Sequence, residues 1–187
     1  MKIHIENLCK SYGGSPVLKN VSFTAGPGVT CIMAPSGSGK TTLLRILLGL
    51  ERPDSGTVGL PEKCRWSAVF QEDRLLEGLD AMGNLRFVLG SALDEAAALA
   101  LLAELGLEDA VGKPAREFSG GMKRRLALAR ALLAPFDVLA LDEPFTGLDQ
   151  DNRERAWRCV REHAAGKPVL LVSHELPPDC GTELFRL

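Results

Sequence analysis

The chain has 187 residues, of which 45% are hydrophobic, enough for the core of one α/β domain with a small insertion. Its formal net charge of −2 argues against the concentrated basic excess of a nucleic-acid-binding protein, so we expect no nucleic-acid partner. The five cysteines are scattered and include no CxxC pair, which argues against a zinc site or a disulfide framework and fits a reducing cytoplasm.

The first predicted strands are short and alternate apolar with polar residues. Their apolar members are Ile3, Ile5, Val17, Val21 and Phe23. In the loop between them, Tyr12 is either an ordinary loop residue or a ring that stacks on a purine. The N-terminus carries no apolar secretion segment, and the most apolar predicted helix is too short to span a bilayer. We therefore expect any role at a membrane to come through a partner.

A Gly/Ser-rich loop follows the predicted strand 29–33 and precedes the predicted helix 43–50. It comprises Ala34, Pro35, Ser36, Gly37, Ser38, Gly39, Lys40, Thr41 and Thr42. Small residues let the backbone turn its N–H groups onto phosphate oxygens, and the following helix adds its positive end. We expect Lys40 to reach nucleotide β- and γ-phosphates, and the Thr41 hydroxyl to bind magnesium. The alternative is a turn that only closes a strand–helix unit, and Ala34 departs from the glycine expected at its position.

The middle of the chain changes from strand to helix. Residues 53–56 predict a turn. A short strand around Ala68 and Val69 then leads to Gln71, whose amide could reach a metal or an attacking water. Residues 80 to about 114 predict a helical insertion in the α/β core, with its clearest helix at 94–105.

The Ser-Gly-Gly segment 119–121 opens another predicted helix, which runs through Ala134 and ends at Pro135. A hydroxyl and bare glycine amides at a helix N-terminus form an anion site, although Ser-Gly-Gly is also a serviceable helix cap. The basic residues at 123–125 lie on this helix, and we expect them to form a solvated face.

Two continuous apolar runs, 138–141 and 169–172, predict buried strands of a mainly parallel sheet. Asp142 and Glu143 follow the first run, and His174 follows the second. Ligands bind beyond the carboxyl ends of such strands, so we expect these side chains to converge with the phosphate loop. An acid there can hold magnesium, the next can polarise a water, and the histidine can donate to a γ-phosphate. Taken alone, the acidic pair could instead cap a helix, and the histidine could be a structural polar residue.

In their order and spacing, these motifs resemble the ATP-binding subunit of ABC transporters. The matching positions are Tyr12, 34–42, Gln71, 118–122, 141–144, 147–149 and Ser173-His174. The resemblance covers essentially the whole chain, and the Ser-Gly-Gly segment separates this family from other phosphate-loop NTPases. Phe118 and Met122 replace the family's common leucine and glutamine, and neither change removes a group needed for metal binding or water activation.

The resemblance implies a single ABC-type ATPase domain over residues 1–187 with an α/β, P-loop NTPase fold. This fold has a mainly parallel central sheet, an N-terminal antiparallel β part and a small inserted helical subdomain, here at about 78–134. It also implies two cofactors, ATP and Mg²⁺. Each ATP would lie between the phosphate loop of one subunit and the Ser-Gly-Gly segment of a second, with Asp149 communicating across the dimer.

The resemblance assigns roles to individual side chains. Tyr12 would stack on adenine, Glu143 would act as general base, and His174 would hold the γ-phosphate and the water. The implied metal ligands are Thr41, Gln71 and Asp142, and the implied catalytic residues are Glu143, His174, Gln71 and Lys40. The implied nucleotide-binding residues are Tyr12, Ala34, Pro35, Ser36, Gly37, Ser38, Gly39, Lys40, Thr41, Thr42, Ser119, Gly120 and Gly121.

Segments 70–76 and 120–128 resemble the ATPases of nitrate, sulfonate and taurine importers. The implied partners are a second ATPase subunit and membrane-spanning permease subunits, and an extracytoplasmic solute-binding protein is a further candidate. The chain would then lie on the inner face of the cell membrane through its permease, with Gln71 near that partner. Two alternatives stay open: an ABC-type ATPase without a membrane partner, and a nucleotide-binding regulatory subunit that does not hydrolyse ATP. The intact Glu143 and His174 argue against the second.

Overall fold

The computed structural model describes residues 1–33, 35, 37–61 and 63–174, and the backbone of residues 183–186. The chain forms two compact units. The first unit contains Met1–Trp66, Phe136–Glu143 and Gly166–Leu187, and the second contains Ser67–Pro135 and Pro144–Ala165. In sequence, the first unit is therefore interrupted twice by segments of the second unit. Glu143 is the last residue of the first unit before the second interruption.

The chain forms strands, α-helices and short 3-10 helices. The strands are β1 (Ile3–Tyr12), β2 (Ser15–Ala25), β3 (Gly28–Met33), β4 (Ser55–Gly59), β5 (Trp66–Val69), β6 (Val138–Asp142), β7 (Pro168–Val172) and β8 (Glu183–Arg186). The α-helices are α1 (Lys40–Leu47), α2 (Ala81–Leu89), α3 (Glu95–Glu104), α4 (Gly120–Leu133) and α5 (Gln150–His163). Short 3-10 helices cover Gly90–Ala92, Glu108–Ala110 and Ala115–Glu117.

An antiparallel sheet in the first unit has the strand order β2-β1-β4. The strands β1 and β2 extend over 10 and 11 residues and are longer than predicted. They reach this length because Gly13 and Gly14 turn the chain back with φ values of 55° and 80°. The strand β4 begins inside the turn predicted at 53–56, because Ser55 and the residues after it pair with β1.

A second sheet in the first unit holds β6, β7, β3 and β8 side by side, and each neighbouring pair is parallel. The strands β6 and β7 are buried along their whole length, which explains their uninterrupted apolar sequence. Ile32 of β3 and Asp142 of β6 both pair with Val172 of β7, so these three residues form one row. The predicted combination of an antiparallel β part and a mainly parallel sheet is confirmed.

In the second unit, helices α2 to α5 each begin after a residue whose side chain accepts a hydrogen bond from a backbone N–H group of the first turn. These caps are Asp80, Asp94, Ser119 and Asp149. Each cap satisfies one of the N–H groups that the start of a helix leaves without a partner. Across the residues that the structure describes, no helix combines the length and apolarity needed to cross a membrane.

The predicted solvated face at 123–125 is wrong for two of its three residues. Arg124 and Arg125 are only 7% and 8% exposed. The Arg125 guanidinium donates to the carbonyl oxygens of Leu105 and Gly106 at 2.6 and 2.8 Å, just beyond the end of α3. Backbone carbonyls at a helix end lack partners within the helix, so a buried arginine supplies the donors instead. This burial lowers the pKa of Arg125.

We predict that Gly56 of β4 cannot be replaced without loss of stability. Its φ is 90°, and an added Cβ atom would lie 2.5 Å from the carbonyl oxygen of Asn7 and 2.6 Å from that of Glu6. Gly56→Ala should lower the free energy of unfolding by about 2–4 kcal/mol in urea denaturation. Gly59→Ala is the matched control, because its Cβ atom would lie 3.5 Å from the nearest atom, Cβ of His4. Equal denaturation midpoints for the two variants would contradict the prediction.

Candidate functional site

The predicted phosphate loop joins β3 to α1 in the first unit. Gly37 and Gly39 have φ values of 80° and 92°, in the left-handed region that favours glycine. A Cβ atom added at Gly39 would lie 2.7 Å from Cγ1 of Val17, so β2 packs closely against the last turn of the loop. Two of the predicted nucleotide-binding residues, Ala34 and Ser36, lie outside the described residues.

Two side chains of this loop, those of Lys40 and Ser38, place hydrogen-bond donors in buried positions. Nζ of Lys40 donates to the carbonyl oxygen of Pro35 at 3.0 Å, and Lys40 is 7% exposed. The Ser38 hydroxyl is buried and, among the described residues, has no hydrogen-bond partner. The first turn of α1 carries no acidic residue, and its N-cap Gly39 supplies no side-chain acceptor. A positive helix end beside the buried Ser38 hydroxyl fits a phosphate group.

Thr41 and Asp142 bring a hydroxyl and a carboxylate together. The Thr41 hydroxyl donates to Oδ2 of Asp142 at 2.8 Å. Asp142 ends the buried strand β6 and is 2% exposed, whereas Thr41 lies in the first turn of α1. Hydroxyl and carboxylate oxygens are ligands of magnesium, so the chemistry of this pair fits a hard cation beside bound phosphates.

Glu143 follows β6 with a φ of 50°, which residues other than glycine rarely adopt. Its N–H group donates to the carbonyl oxygen of Val172 at 2.9 Å. Its Oε1 lies 3.0 Å from Nε2 of His174, and this contact is an ion pair when the imidazole is protonated. The Glu143 side chain is 13% exposed and that of His174 is 55% exposed, so the carboxylate is the inner member of the pair.

Tyr12 lies at the end of β1 and is 46% exposed. Its hydroxyl donates to Oε1 of Glu51, and the ammonium of Lys10 lies 5.4 Å from the centre of its ring. The hydrogen bond to Glu51 raises the pKa of Tyr12, and a bond with the Thr42 side chain opposes it. Lys10 in turn forms ion pairs with Glu51 and Asp54, at 3.3 and 3.4 Å. The ring is therefore held at its hydroxyl end and remains accessible.

The remaining predicted residues belong to the second unit. Gln71 is exposed, and its backbone carbonyl oxygen accepts a hydrogen bond from Nη2 of Arg124 at 2.5 Å. The Ser119 hydroxyl accepts a hydrogen bond from the N–H group of Met122 at 3.2 Å, so this side chain caps the helix, which was the alternative role. Gly120 is exposed and has open space where a Cβ atom would lie. No acidic residue lies in the first turn of α4, which leaves this helix start suited to an anion as well.

Two residues that hold predicted site residues in place were not singled out from the sequence. Glu51 binds the Tyr12 hydroxyl from 39 positions away, and Arg124 binds the Gln71 carbonyl from 53 positions away. No local pattern reveals such pairs. The basic run that includes Arg124 was the only sequence signal, and it indicated solvation rather than burial.

The chain resembles known proteins over most of its length. The sequence profile of the family described as ABC transporter matches residues 18–146. The aliphatic sulfonates import ATP-binding protein SsuB 1 of Agrobacterium fabrum is 41% identical, over 91% of this chain and 64% of its own length. The Nod factor export ATP-binding protein I of Paraburkholderia xenovorans is 39% identical, over 92% of this chain and 62% of its own length. The chain thus spans slightly less than two thirds of these two curated relatives.

The fold has counterparts among solved structures. The ATP-binding subunit of an ABC transporter gives a TM-score of 0.82 at 25% identity, covering 94% of this chain and 80% of that one. This likeness confirms the predicted P-loop NTPase fold. The family match runs from β2 to the residues after β6 and therefore includes the phosphate loop, the Ser-Gly-Gly segment and the acidic pair. The chain therefore belongs to the ABC transporter family.

Proposed function

We propose that this chain hydrolyses ATP to power the import of a solute across the cytoplasmic membrane as part of an ABC transporter. The observation that carries the proposal is the set of contacts at the strand ends of the first unit. There Thr41 contacts Asp142, and Glu143 contacts His174. These groups, with the donors of the phosphate loop, are those needed to hold a triphosphate, bind a divalent cation and position a water.

Nucleotide binding is assigned to the phosphate loop and to Tyr12. Lys40 and Ser38 bind phosphate oxygens together with the backbone N–H groups of the loop, and the buried Ser38 hydroxyl supports this role. The exposed ring of Tyr12 stacks on adenine while Glu51 holds its hydroxyl. The loop residues Ala34, Pro35, Ser36, Gly37, Gly39 and Thr42 complete the proposed phosphate site.

Magnesium is assigned to Thr41 and Asp142, with Gln71 as a third ligand. When bound, it supplies positive charge beside the phosphate oxygens. Among the described residues, no group of three or more His, Cys, Asp and Glu side chains could hold a metal. The single carboxylate and the hydroxyl of the Thr41–Asp142 pair suit magnesium, which proteins usually bind through one or two carboxylates, waters and substrate phosphates.

Water activation is assigned to the pair of Glu143 and His174. Glu143 accepts a proton from the attacking water, since its carboxylate is a proton acceptor and its Oε1 lies 3.0 Å from Nε2 of His174. His174 holds the γ-phosphate and that water, and Gln71 contributes to the same task. Ser119, Gly120 and Gly121 of a second subunit cover the nucleotide, which the exposed start of α4 supports.

The proposed complex has two ATPase subunits, membrane-spanning permease subunits and an extracytoplasmic solute-binding protein. The chain lies on the inner face of the cell membrane through the permease. Residues 1–187 form one ABC-type domain, with the helical subdomain at about 78–134. The relative named as a sulfonate import protein supports import. Export is a second candidate, because the relative named as a Nod factor export protein has a similar sequence identity to this chain.

Purification from membranes tests this assembly. We expect the tagged full chain, extracted in mild detergent, to bring with it a polytopic membrane protein and to hydrolyse ATP. Recovery of active protein without any membrane protein would favour an ATPase that works alone. In cells, loss of solute uptake after deletion supports import, whereas loss of efflux supports export.

We predict that Glu143→Gln lowers ATP turnover at least about 100-fold, because an amide cannot accept the proton of the attacking water. ATP affinity, measured with a fluorescent analogue, should stay close to that of the unmodified protein, since the change affects no proposed phosphate ligand. Turnover that survives the substitution would rule out Glu143 as the base. Absence of turnover in the unmodified protein would instead favour a regulatory subunit.

Lys40→Ala should abolish turnover and weaken ATP binding, because it removes the buried ammonium of the phosphate loop. Ala34→Gly is the matched change in the same loop. We expect it to alter ATP affinity less than about fivefold, since the difference between glycine and alanine is worth roughly 0.5–1 kcal/mol. Isothermal titration with Mg-ATP measures both affinities, and a larger effect of Ala34→Gly than of Lys40→Ala would contradict these assignments.

A further inference from the structure

The segment 70–74, which contains Gln71, has no regular secondary structure. Its carbonyl oxygens therefore have no partners within a strand ladder or helix of their own, and they need other hydrogen-bond donors. Arg124 of α4 provides two donors. Its Nη1 donates to the carbonyl oxygen of Phe70 at 2.6 Å, and its Nη2 donates to that of Gln71 at 2.5 Å.

Arg130 of α4 continues the same pattern two residues further along the segment. Its Nη2 donates to the carbonyl oxygen of Asp73 at 2.9 Å, and its Nη1 donates to that of Arg74 at 2.7 Å. The Asp73 carboxylate lies 3.2 Å from Nη1 of Arg124, so Asp73 contacts both arginines, one through its side chain and one through its backbone. Four of the five carbonyl oxygens in 70–74 are thus bonded to one helix.

The same helix begins at the Ser-Gly-Gly segment, with Ser119 as its N-cap. Arg124 lies five positions after Ser119 and is 7% exposed, so its guanidinium is confined between α4 and the segment. A planar guanidinium that donates from both of its terminal nitrogens fixes the orientation of the two carbonyl groups as well as their distance. Movement of Gln71 relative to the start of α4 would break these bonds.

We propose that Arg124 and Arg130 are positioning residues that make segment 70–74 and α4 move as one body. The proposal rests on the proposed function, in which Gln71 reaches the metal and water of its own subunit while Ser119 covers the nucleotide of the partner. The arginines then couple the state of one ATP site to closure over the other. In the proposed function, neither arginine is assigned a contact with nucleotide.

Arginines with a purely structural role would also donate to carbonyl oxygens of segments without regular secondary structure. Another arginine of α4 provides a comparison. Arg125 is equally buried and bonds the carbonyl oxygens of Leu105 and Gly106, away from segment 70–74. Arg125→Lys therefore matches Arg124→Lys in helix, burial and chemistry. Lysine keeps the charge but cannot bridge two carbonyl oxygens with a planar fork.

The test compares Arg124→Lys, Arg130→Lys, their double variant and Arg125→Lys in the purified full chain. Hydrogen exchange is followed in peptides that cover 70–74 and 119–123, with and without Mg-ATP, in proteins shown to be folded by their melting transitions. ATP turnover is measured on the same samples. In the double variant, we expect faster exchange in 70–74 and loss of the ATP-induced protection in 119–123. The turnover number should fall about 10–100-fold, with KM changed less than about threefold, because binding groups are intact and only their alignment is lost.

Arg125→Lys should leave the exchange of 70–74 and the ATP response of 119–123 unchanged, even if it lowers the melting temperature. Equal effects of Arg125→Lys and Arg124→Lys would overturn the proposal, as would unchanged exchange in 70–74. Retained protection of 119–123 in the double variant would also overturn it. If the unmodified chain neither binds nor hydrolyses ATP, the proposed function fails and the coupling fails with it.

Discussion

The register of three parallel strands places Ile32, Val172 and Asp142 in one row, and the chemistry of the first unit depends on that row. The residues that follow these strands leave the sheet at the same edge. The contact of Thr41 with Asp142 and that of Glu143 with His174 both follow from this arrangement of strands. A slip of one residue in β6 would turn Asp142 to the opposite face of the sheet and break its hydrogen bond with Thr41.

The same edge concentrates groups that ordinary folding would avoid. Glu143 holds a positive φ, and the Ser38 hydroxyl is buried without a hydrogen-bond partner in the described part of the chain. Both features cost stability in the absence of a ligand. The backbone of Glu143 is held in this conformation in part by the hydrogen bond from its N–H group to the carbonyl oxygen of Val172. In the proposed function, a site with such fixed groups has less to reorganise when phosphate and water bind.

In the second unit, arginine side chains of α4 connect this helix to other segments through hydrogen bonds. Arg124, Arg125 and Arg130 all donate to backbone carbonyl oxygens of segments outside α4. Asp73 partly balances the charge of Arg124 and Arg130. Burial raises the pKa of the Asp73 carboxyl, and these two arginines oppose the change. Because each guanidinium has several donors in one plane, it can join an irregular segment to a helix where no strand or helix pairing is available.

Much of this protein could be predicted from local sequence. The phosphate loop, the acidic pair after a buried strand and the helix start at Ser119 are all short patterns, and their order alone indicated the family. Helix caps and apolar periodicity also indicated most of the helices and the buried strands to within a few residues. The errors lie where local rules give no guidance. The strand β4 starts inside a sequence that favours a turn, because pairing with β1 outweighs that preference.

The sequence by itself therefore determined which chemical groups are present, since loops, caps and buried strands follow from neighbours within a few residues. Only the tertiary structure decided which of them meet. Thr41 and Asp142 are separated by 101 positions, and Gln71 and Arg124 by 53. Contacts at such separations depend on strand register and helix packing, and for that reason a basic run that looked solvated became the buried support of Gln71.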